Sequence, residues 1–485
     1  MKTLKHISAF LLLVPLLASC HFLEVEKTGK TSIKNFYSDI YALDAAVNGV
    51  YGLTYKFYDN YMVLYPEVAG DLVRLQATTS EWRQQFDFIS DESDETSAVG
   101  YIWKNGYEII VNANEVIQYG PSVSDRFPQQ TASVRNYIAQ AYFIRALIHL
   151  DLSLVYGQTY TYSADGSHLG TAVMTTIPDV KSKIARSTAA VTYKRILDDL
   201  QTASDMFADG WTKGCYYASP AACKALMARV YLYMGNYSEA KKCASEVIAD
   251  YGLSLTPRSD YVAMFCARKE GTEAIFRLNG LSGGYKLGAM FDYNSPSMNP
   301  SSKLMDIFSS DEHAWAGTDI RSELLSYKSS GGDEFSGVCM KFTDTEDIDD
   351  TQKRYDPFVL RLSEMYLIRA EAACHDGDID TAVSDIATLE ARARGVKASE
   401  INVVYSNAEE LDRIIRRERV KELFLEGHRL FDLTRRHETL SRDAACGSSV
   451  LSMTYPDDRF ILPIPLVELD ANKAMQPNPI NGTQR

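Results

Sequence analysis

Three glutamates recur at every fourth residue of one charged stretch: Glu418, Glu422 and Glu426. On an α-helix this spacing places the three carboxylates on one face. Glycosidases use a pair of such carboxylates as acid and base or nucleophile. Arginines are interleaved with these glutamates, however, and carboxylate–guanidinium pairs on a helix usually stabilise structure. We therefore expect ion pairs here, and a glycosidase built on Glu418 and Glu422 is the alternative.

Two tryptophans lie among polar residues, which is typical of rings that stack on a ligand from a loop. Trp82 is in the run SEWRQQ and Trp315 is in DEHAWAG. A ring buried for packing normally has apolar neighbours, and sugars offer flat C–H faces to such a ring. We predict ligand binding by Trp82 and Trp315, together with Arg74, Tyr285 and Tyr293, chosen for loop position and for aromatic or bidentate chemistry. The alternative is that each tryptophan only anchors its loop.

A glycine-rich stretch at residues 280–284 matches G-x-S-x-G, the motif of the hydrolase nucleophile elbow. That motif needs a helix directly after it. Here the following chain contains Gly288, Pro296 and Pro300 and no helix start. We interpret the stretch as a loop. The eight histidines have no paired spacing that would indicate a zinc site.

An acidic run at residues 344–350 could supply oxygen ligands to calcium. Its carboxylates are Asp344, Glu346, Asp347, Asp349 and Asp350. The run lacks the glycine and the terminal glutamate of an EF-hand loop. A solvated loop is the preferred interpretation, so we expect no cofactor and no metal, with calcium as the alternative.

The chain begins with an apolar stretch that stops at a cysteine. Lys2 and Lys5 precede an apolar run from Ile7 to Ala18, which is shorter than the roughly 20 residues that span a bilayer. A basic start and a short apolar run are typical of a secretory signal. The ending LASC resembles the bacterial lipobox, which implies that Cys20 becomes the acylated first residue. We predict a lipoprotein signal peptide over residues 1–19; ordinary secretion with a chance cysteine is the alternative.

The composition is that of an acidic globular protein. Hydrophobic residues make up 46% of the chain, charged residues 24%, and the formal charge is −14. Nucleic acid binding requires clustered lysine and arginine, so this charge argues against a nucleic acid partner. The length suits one large or two ordinary domains.

Two distant segments repeat the pattern of a tetratricopeptide helix pair. When Gly235 is aligned with Gly377, small residues coincide on both sides of the turn. These residues are Ala228 and Ala370 before the glycine, and Ala240 and Ala382 after it. Small residues let two antiparallel helices approach closely, and glycine makes the turn between them. We predict a mainly α fold: a tetratricopeptide-type helix-pair scaffold with long inserted loops and few short strands.

Further elements support this helical scaffold. Apolar residues at three- and four-residue steps predict a helix over residues 131–155, and the charged stretch predicts a helix over residues 414–436. Residues 273–278 favour a strand. Long insertions on a rigid scaffold are where binding residues tend to lie.

Several of these motifs, in this order, resemble the SusD/RagB family. The segments that carry the resemblance are FLE at 22–24, NFY at 35–37, AAVNGVY at 45–51, YEIIVNANEVI at 107–117, AYFIRAL at 141–147, LRLSEMYLIRAEA at 360–372, RER at 417–419 with EGHR at 426–429, and PIP at 463–465. The match covers nearly the whole chain. Near the end, Pro477 interrupts the family's usual closing motif.

The resemblance implies a lipid-anchored, surface-exposed outer-membrane protein without catalytic activity. Such proteins bind an oligosaccharide, or a peptide in some members, and cover a SusC-like TonB-dependent transporter. The resemblance also implies one SusD-like domain over residues 20–485, with an N-terminal half over about 20–220 and a C-terminal half over about 221–485. Because ligand residues vary within the family, none is transferred to this chain. A tetratricopeptide-type assembly scaffold without a small ligand is the alternative of another class.

Overall fold

A computed structural model describes residues 33–179, 181–267, 269–280, 285–310, 315–328, 332–343 and 355–479. Three of the sequence predictions therefore lie outside the described residues: the signal peptide with Cys20, the acidic run at 344–350, and residues 281–284 of the glycine-rich motif. The described part is mainly helical, as predicted.

The helices are α1 (Ile33–Phe36), α2 (Ile40–Phe57), α3 (Leu64–Val68), α4 (Arg83–Phe86), α5 (Ala98–Arg126), α6 (Thr131–Tyr156), α7 (Ala189–Met206), α8 (Pro220–Tyr233), α9 (Tyr237–Asp250), α10 (Arg258–Cys266), α11 (Lys286–Met290), α12 (Ser302–Ser309), α13 (Leu362–His375), α14 (Ile379–Arg394), α15 (Ala408–Leu423), α16 (Arg429–Arg435) and α17 (Leu466–Ala471). A single π-helical turn, Tyr58–Met62, follows α2.

The strands are short and form two-stranded antiparallel ladders. They are β1 (Val73–Leu75), β2 (Ala274–Arg277), β3 (Met298–Pro300), β4 (Ser326–Lys328), β5 (Glu334–Ser336), β6 (Phe358–Arg361), β7 (Leu440–Ser441) and β8 (Ser452–Met453). The pairs are β1 with β3, β2 with β6, β4 with β5, and β7 with β8. The predicted strand at 273–278 is thus present as β2, and β1–β3 joins residues more than 200 positions apart.

The two predicted helix pairs are α8–α9 and α13–α14. Their turns contain Gly235 and Gly377, whose φ angles of 70° and 80° are costly for any residue with a side chain. The four aligned alanines are all 0% exposed. Since α9 packs directly against α13, the two pairs adjoin in space although a long insertion separates them in sequence.

Helix α6 lies at the centre of the N-terminal half, between α5 and α7, and α7 continues the packing to α8. The segment Pro128–Tyr156 is long and apolar enough to cross a membrane by composition alone, yet 89% of its most apolar window is buried inside the protein. Its hydrophobicity therefore serves the core of the helical array.

The helix predicted over residues 414–436 is wrong as a single element. The chain leaves the helix after Leu423 and resumes one at Arg429. Leu425 and Gly427 adopt positive φ angles of 59° and 88°. The carboxylate of Glu67, from α3, accepts the backbone N–H groups at 427, 428 and 429, so a distant side chain satisfies the new helix start.

Candidate functional site

A cleft of about 510 Å³ opens where three separate segments of the N-terminal half meet α11. Its walls are Asn60, Tyr61, Ser80, Glu81, Trp82, Arg83, Gln84, Gln85, Thr96, Ser97, Ala98, Tyr101 and Lys286. The π-helical turn contributes the first two, the chain around α4 the next six, and the start of α5 the following four. Amides, hydroxyls and aromatic rings predominate, and this mixture suits a neutral ligand with many hydroxyl groups.

Trp82 forms the floor of the cleft. The residue has a φ of +65° and immediately precedes α4. Its side chain is only 6% exposed, and within the described part of the chain its buried indole nitrogen has no hydrogen-bond partner. A buried unpaired N–H costs about 1–3 kcal/mol, so a ligand acceptor in the cleft would recover that energy. With 6% of its side chain exposed, the indole presents no open face for stacking in this structure, and an acceptor would have to reach its buried N–H.

Two tyrosines continue the aromatic surface from Trp82. The Tyr61 ring lies 6.4 Å from the Trp82 ring, centroid to centroid, and 6.0 Å from that of Tyr101 at an interplanar angle of 29°. Tyr101 is 37% exposed. Partial burial raises the pKa of Tyr61, so its hydroxyl stays a neutral donor and acceptor at physiological pH. The row offers ring faces for the C–H surfaces of sugars.

The cleft loops are tied down from both sides. Arg83 donates from Nη1 to the carbonyl of Gly447 at 2.8 Å and from Nη2 to that of Gln76 at 2.9 Å. Lys286 forms a 2.6 Å ion pair with Glu81 across the mouth. Ser97 caps α5 by accepting the backbone N–H of Val99. These contacts hold the walls before any ligand arrives, which lowers the entropy cost of binding.

Asp59 fixes the position of α11 against the π-helical turn. Its carboxylate accepts the backbone N–H groups of Lys286 and Leu287, each at 3.3 Å, and the hydroxyl of Tyr355. Burial raises the pKa of Asp59, and these donors oppose that shift. Tyr285, one residue before Lys286, is exposed and is not among the residues that line the cleft, so ligand binding by it stays a prediction.

Two other predicted ligand residues lie away from the Trp82 walls. The Tyr293 ring packs against Tyr327 at 4.6 Å and Phe335 at 5.3 Å, on the hairpin formed by β4 and β5. Arg74 is exposed on β1, opposite Asn299 of β3. Neither residue lines the cleft, and ligand binding by either stays a prediction.

Trp315 lines a different cavity, of about 250 Å³, which shares no wall residue with the Trp82 cleft. Its indole N–H donates to the carbonyl of Asn402 at 2.8 Å. The guanidinium of Arg394 lies 5.4 Å from its ring centroid. The structure therefore separates the two tryptophans that the sequence grouped together, and the Trp315 donor is already satisfied.

The three spaced glutamates form buried ion pairs, as preferred in the sequence interpretation. Glu418 and Glu422 pair with Arg321 at 2.5 Å and 3.0 Å. Glu426 pairs with Lys341 at 2.5 Å and with Arg361 at 2.9 Å. Glu422 is 0% exposed and does not line the cavity that Glu418 lines.

Opposite pKa shifts accompany this burial. Burial opposes ionisation of Glu422, but Arg392, Arg361 and Arg321 outweigh it and hold its pKa well below the usual value. For Glu418 burial dominates over the attraction of Arg321, and its pKa is raised well above the usual value. An acid with a raised pKa beside one with a lowered pKa is also a glycosidase pattern, but here the Arg321 guanidinium contacts both carboxylates.

The described ranges contain no group of three or more histidine, cysteine, aspartate or glutamate side chains arranged to hold a metal ion. The acidic run proposed for calcium is not among those ranges. Sequence reasoning missed Tyr61, Tyr101 and Lys286 in the cleft. One signal was present: the polar run YDNY at 58–61 interrupts an otherwise apolar helical stretch.

Comparison with known proteins gives the family. The sequence profile of the SusD family matches residues 310–480. A second profile, described as starch-binding and associating with the outer membrane, matches residues 21–232. The chain belongs to the SusD/RagB family. The second match contains every wall residue of the Trp82 cleft except Lys286, which lies between the two matched segments.

Relatives support this membership at low identity. A SusD-like protein of Formosa agariphila is 27% identical over 272 residues, 55% of this chain and 50% of that protein. A second from the same organism is 25% identical over 498 residues, 91% of this chain and 93% of that protein. The chain thus spans about half the length of the first relative and nearly all of the second.

Solved SusD structures share the fold of this chain. A SusD superfamily protein from Bacteroides thetaiotaomicron has a TM-score of 0.79 at 25% identity, covering 91% of this chain and 100% of that one. A Bacteroides vulgatus protein described as sugar-binding has a TM-score of 0.78 at 25% identity, covering 91% and 98%. The helical SusD architecture therefore extends over nearly the whole chain.

Proposed function

We propose that this protein binds an oligosaccharide nutrient at the cell surface, without catalysis, and delivers it to a SusC-like TonB-dependent transporter. Cys20 carries the lipid that holds the protein to the outer membrane. Family membership supports both the ligand class and the membrane association, since one matching profile is described as starch-binding and associating with the outer membrane. The transporter partner and the anchor rest on the sequence resemblance and the LASC motif.

The cleft around Trp82 is the proposed ligand site, and the unpaired indole N–H is the observation that carries this assignment. An unpaired donor next to the tyrosine pair Tyr61 and Tyr101 suits a sugar, which presents hydroxyl acceptors at its edge and C–H groups on its face. Catalysis is not proposed, because Glu418 and Glu422 are engaged with Arg321.

Affinity gel electrophoresis against a panel of polysaccharides tests the ligand class. Calorimetry then uses oligosaccharides cut from a polysaccharide that retards the protein. Trp82→Phe removes the N–H and keeps an aromatic ring, and we expect it to weaken binding by about tenfold. Trp211→Phe is the matched control, since Trp211 stacks on Phe207 outside the cleft and should bind as the wild type does.

Four results would each contradict part of the proposal. If no polysaccharide retards the protein, a glycan ligand is excluded. If peptides bind instead, the ligand is a peptide. Equal affinities of Trp82→Phe and the wild type would remove the site. For the anchor, Cys20→Ser should release the protein from the membrane fraction, and continued membrane association of that variant would contradict acylation.

A further inference from the structure

A second groove adjoins the Trp82 cleft. It has a volume of about 740 Å³ and shares Thr96 and Tyr101 with the cleft. Its apolar walls include Trp103, Tyr107, Met174, Ile184, Val467 and Met475. A concave space of this size suits a small molecule, whereas protein partners use flatter surfaces. A ligand that lies over Tyr101 therefore reaches both spaces.

Three polar side chains of the groove wall already have partners inside the protein. Trp103 donates its N–H to Glu468 at 3.4 Å, and Tyr107 donates its hydroxyl to the carbonyl of Ala172 at 2.9 Å. The amide of Asn472 donates to a backbone carbonyl at 2.8 Å. The groove is therefore complementary to an apolar group, whereas the adjacent cleft contains Trp82 with its unpaired N–H.

The apolar wall is suited to an aromatic ring. Trp103 and Tyr107 lie 4.7 Å apart, centroid to centroid, and Tyr101 keeps 37% of its surface exposed. Met174 and Met475 add thioethers, which make favourable contacts with aromatic rings. Aromatic pairs and sulfur–ring contacts contribute beyond the burial of apolar area.

Charges around the groove balance in sign. Glu95 and Glu468 are the acidic wall residues, and Lys104 and Lys183 are the basic ones. The Lys183 ammonium already donates to the carbonyl of Ala471. A wall with two charges of each sign has no net attraction for an anion or a cation, so a neutral occupant fits better than a free acid.

We propose that the sugar chain bound at Trp82 carries an aromatic acyl ester, and that this ester lies in the groove beyond Tyr101. The inference rests on the proposed function, because it gives the oligosaccharide of that function a substituent. The ester bond keeps the aromatic acid neutral and joins it to a sugar hydroxyl, so the polar and apolar parts of one ligand fall in adjacent spaces.

Methyl ferulate, an aromatic ester without a sugar, probes the groove itself. Saturation-transfer NMR on the full chain should detect its binding. Val467→Lys places a charged side chain at the groove and should weaken this binding at least ~10-fold. Val191→Lys is the matched control, because Val191 is 53% exposed, Val467 is 52% exposed, and both lie on helices. Absence of binding, or equal binding by both variants, would overturn the proposal.

A second measurement separates this proposal from the proposed function. The polysaccharide that binds in the panel is acylated with feruloyl groups. The sample is then divided in two, and the esters of one portion are hydrolysed with base. We expect the ester form to bind about tenfold more tightly, with the preference lost in Val467→Lys and kept in Val191→Lys. Equal binding of both forms, still weakened by Trp82→Phe, would overturn the ester and leave the glycan site intact. Failure of every polysaccharide would overturn both.

Discussion

Trp82 and Trp315 have similar polar neighbours in the sequence and opposite roles in bonding. Trp82 lies in a cleft of amides and hydroxyls, and its N–H has no partner. Trp315 lies beside a buried charge network, donates its N–H to Asn402 and contacts Arg394. The difference shows that the composition around a ring does not decide whether the ring awaits a ligand. We infer that the unused bonding capacity of the ring is the better guide, and the variants below test this.

The same contrast separates the two regions as wholes. Around Trp82 most wall residues are neutral polar or aromatic, and the charged ones, Glu81, Arg83 and Lys286, lie among them. Around Trp315 the carboxylates Glu390 and Glu418 are bound by Arg321, Arg394 and Lys421. We infer that the first region is built for binding and the second for holding α14 and α15 together.

The largest expected effect is on the stability of the charged region. Glu422→Gln removes the carboxylate that pairs with Arg361 at 2.6 Å and with Arg392 at 2.7 Å. Both arginines keep Glu273 as a partner, but the buried network then lacks one negative charge, and the free energy of unfolding should fall by about 3–5 kcal/mol, measured by urea denaturation. Glu334→Gln, in a pair with Lys328 whose side chains are 72% and 68% exposed, should change it by less than ~1 kcal/mol.

Equal stabilities of Glu422→Gln and Glu334→Gln would break the comparison. So would a stable Glu422→Gln protein that loses glycan binding, because the charged region would then be part of a ligand site. Turnover of an oligosaccharide by the wild type, abolished by Glu418→Gln, would likewise turn that region into a catalytic centre.

Acid should weaken one buried ion pair in a predictable direction. Asp71 contacts Arg429 at 2.5 Å and Lys303 at 2.6 Å. Burial opposes its ionisation, but these cations prevail and lower its pKa to about 2. A carboxyl with a depressed folded-state pKa stabilises the fold above its unfolded pKa of about 4, and this stabilisation is lost as the pH falls through 2.

Asp71→Asn tests that direction. At pH 7 we expect the variant to unfold with about 2 kcal/mol less free energy than the wild type. The difference should shrink between pH 4 and pH 2, as urea denaturation at several pH values would measure. A difference that stays constant over that range would show that Asp71 stabilises the fold by shape and not by charge. Glycan affinity at pH 7 should stay unchanged.

Trp315→Phe tests the comparison between the tryptophans directly. The substitution removes the hydrogen bond to Asn402, so the free energy of unfolding should fall by about 1 kcal/mol. Glycan affinity should stay within about twofold of the wild type, since the Trp315 donor is satisfied without ligand. Calorimetry measures the glycan affinities of Trp315→Phe and Trp82→Phe under the same conditions. Equal losses of affinity in both variants would place both tryptophans at ligand sites.

The scaffold could be predicted because its signals are local. Gly235 and Gly377 adopt the positive φ angles that their turns require, and the alanines around them are buried as the repeat demands. Close packing of two helices joined by a short turn depends on residues a few positions apart, so a short stretch of sequence contains the whole pattern. Ion pairing of Glu418 and Glu422 was also expected from the arginines around them, but their partners Arg321, Arg361 and Arg392 lie outside that stretch, and the sequence did not indicate them.

Other features depend on residues that are far apart in sequence. The helix break before Arg429 depends on Glu67, which accepts N–H groups some 360 residues away. The cleft combines Tyr61, Trp82 and Tyr101 with Lys286, which arrives on a distant insertion. No local pattern indicates such convergence: the polar run at 58–61 marks Tyr61 alone, and Tyr101 is an ordinary member of a helical stretch. The unpaired N–H of Trp82 is visible only in three dimensions.

The smallest expected effect concerns Tyr285, the residue before Lys286. Its side chain is 56% exposed, and Lys286 lines the cleft and pairs with Glu81. If the Tyr285 ring reaches a ligand bound there, Tyr285→Ala should weaken glycan binding on the order of threefold, since partly exposed aromatic contacts contribute little. Tyr162→Ala, 46% exposed and outside the cleft, is the control and should leave calorimetric affinity unchanged. A loss as large as that of Trp82→Phe would move the centre of the site from the cleft floor to its rim. The unpaired indole would then no longer explain why this region binds.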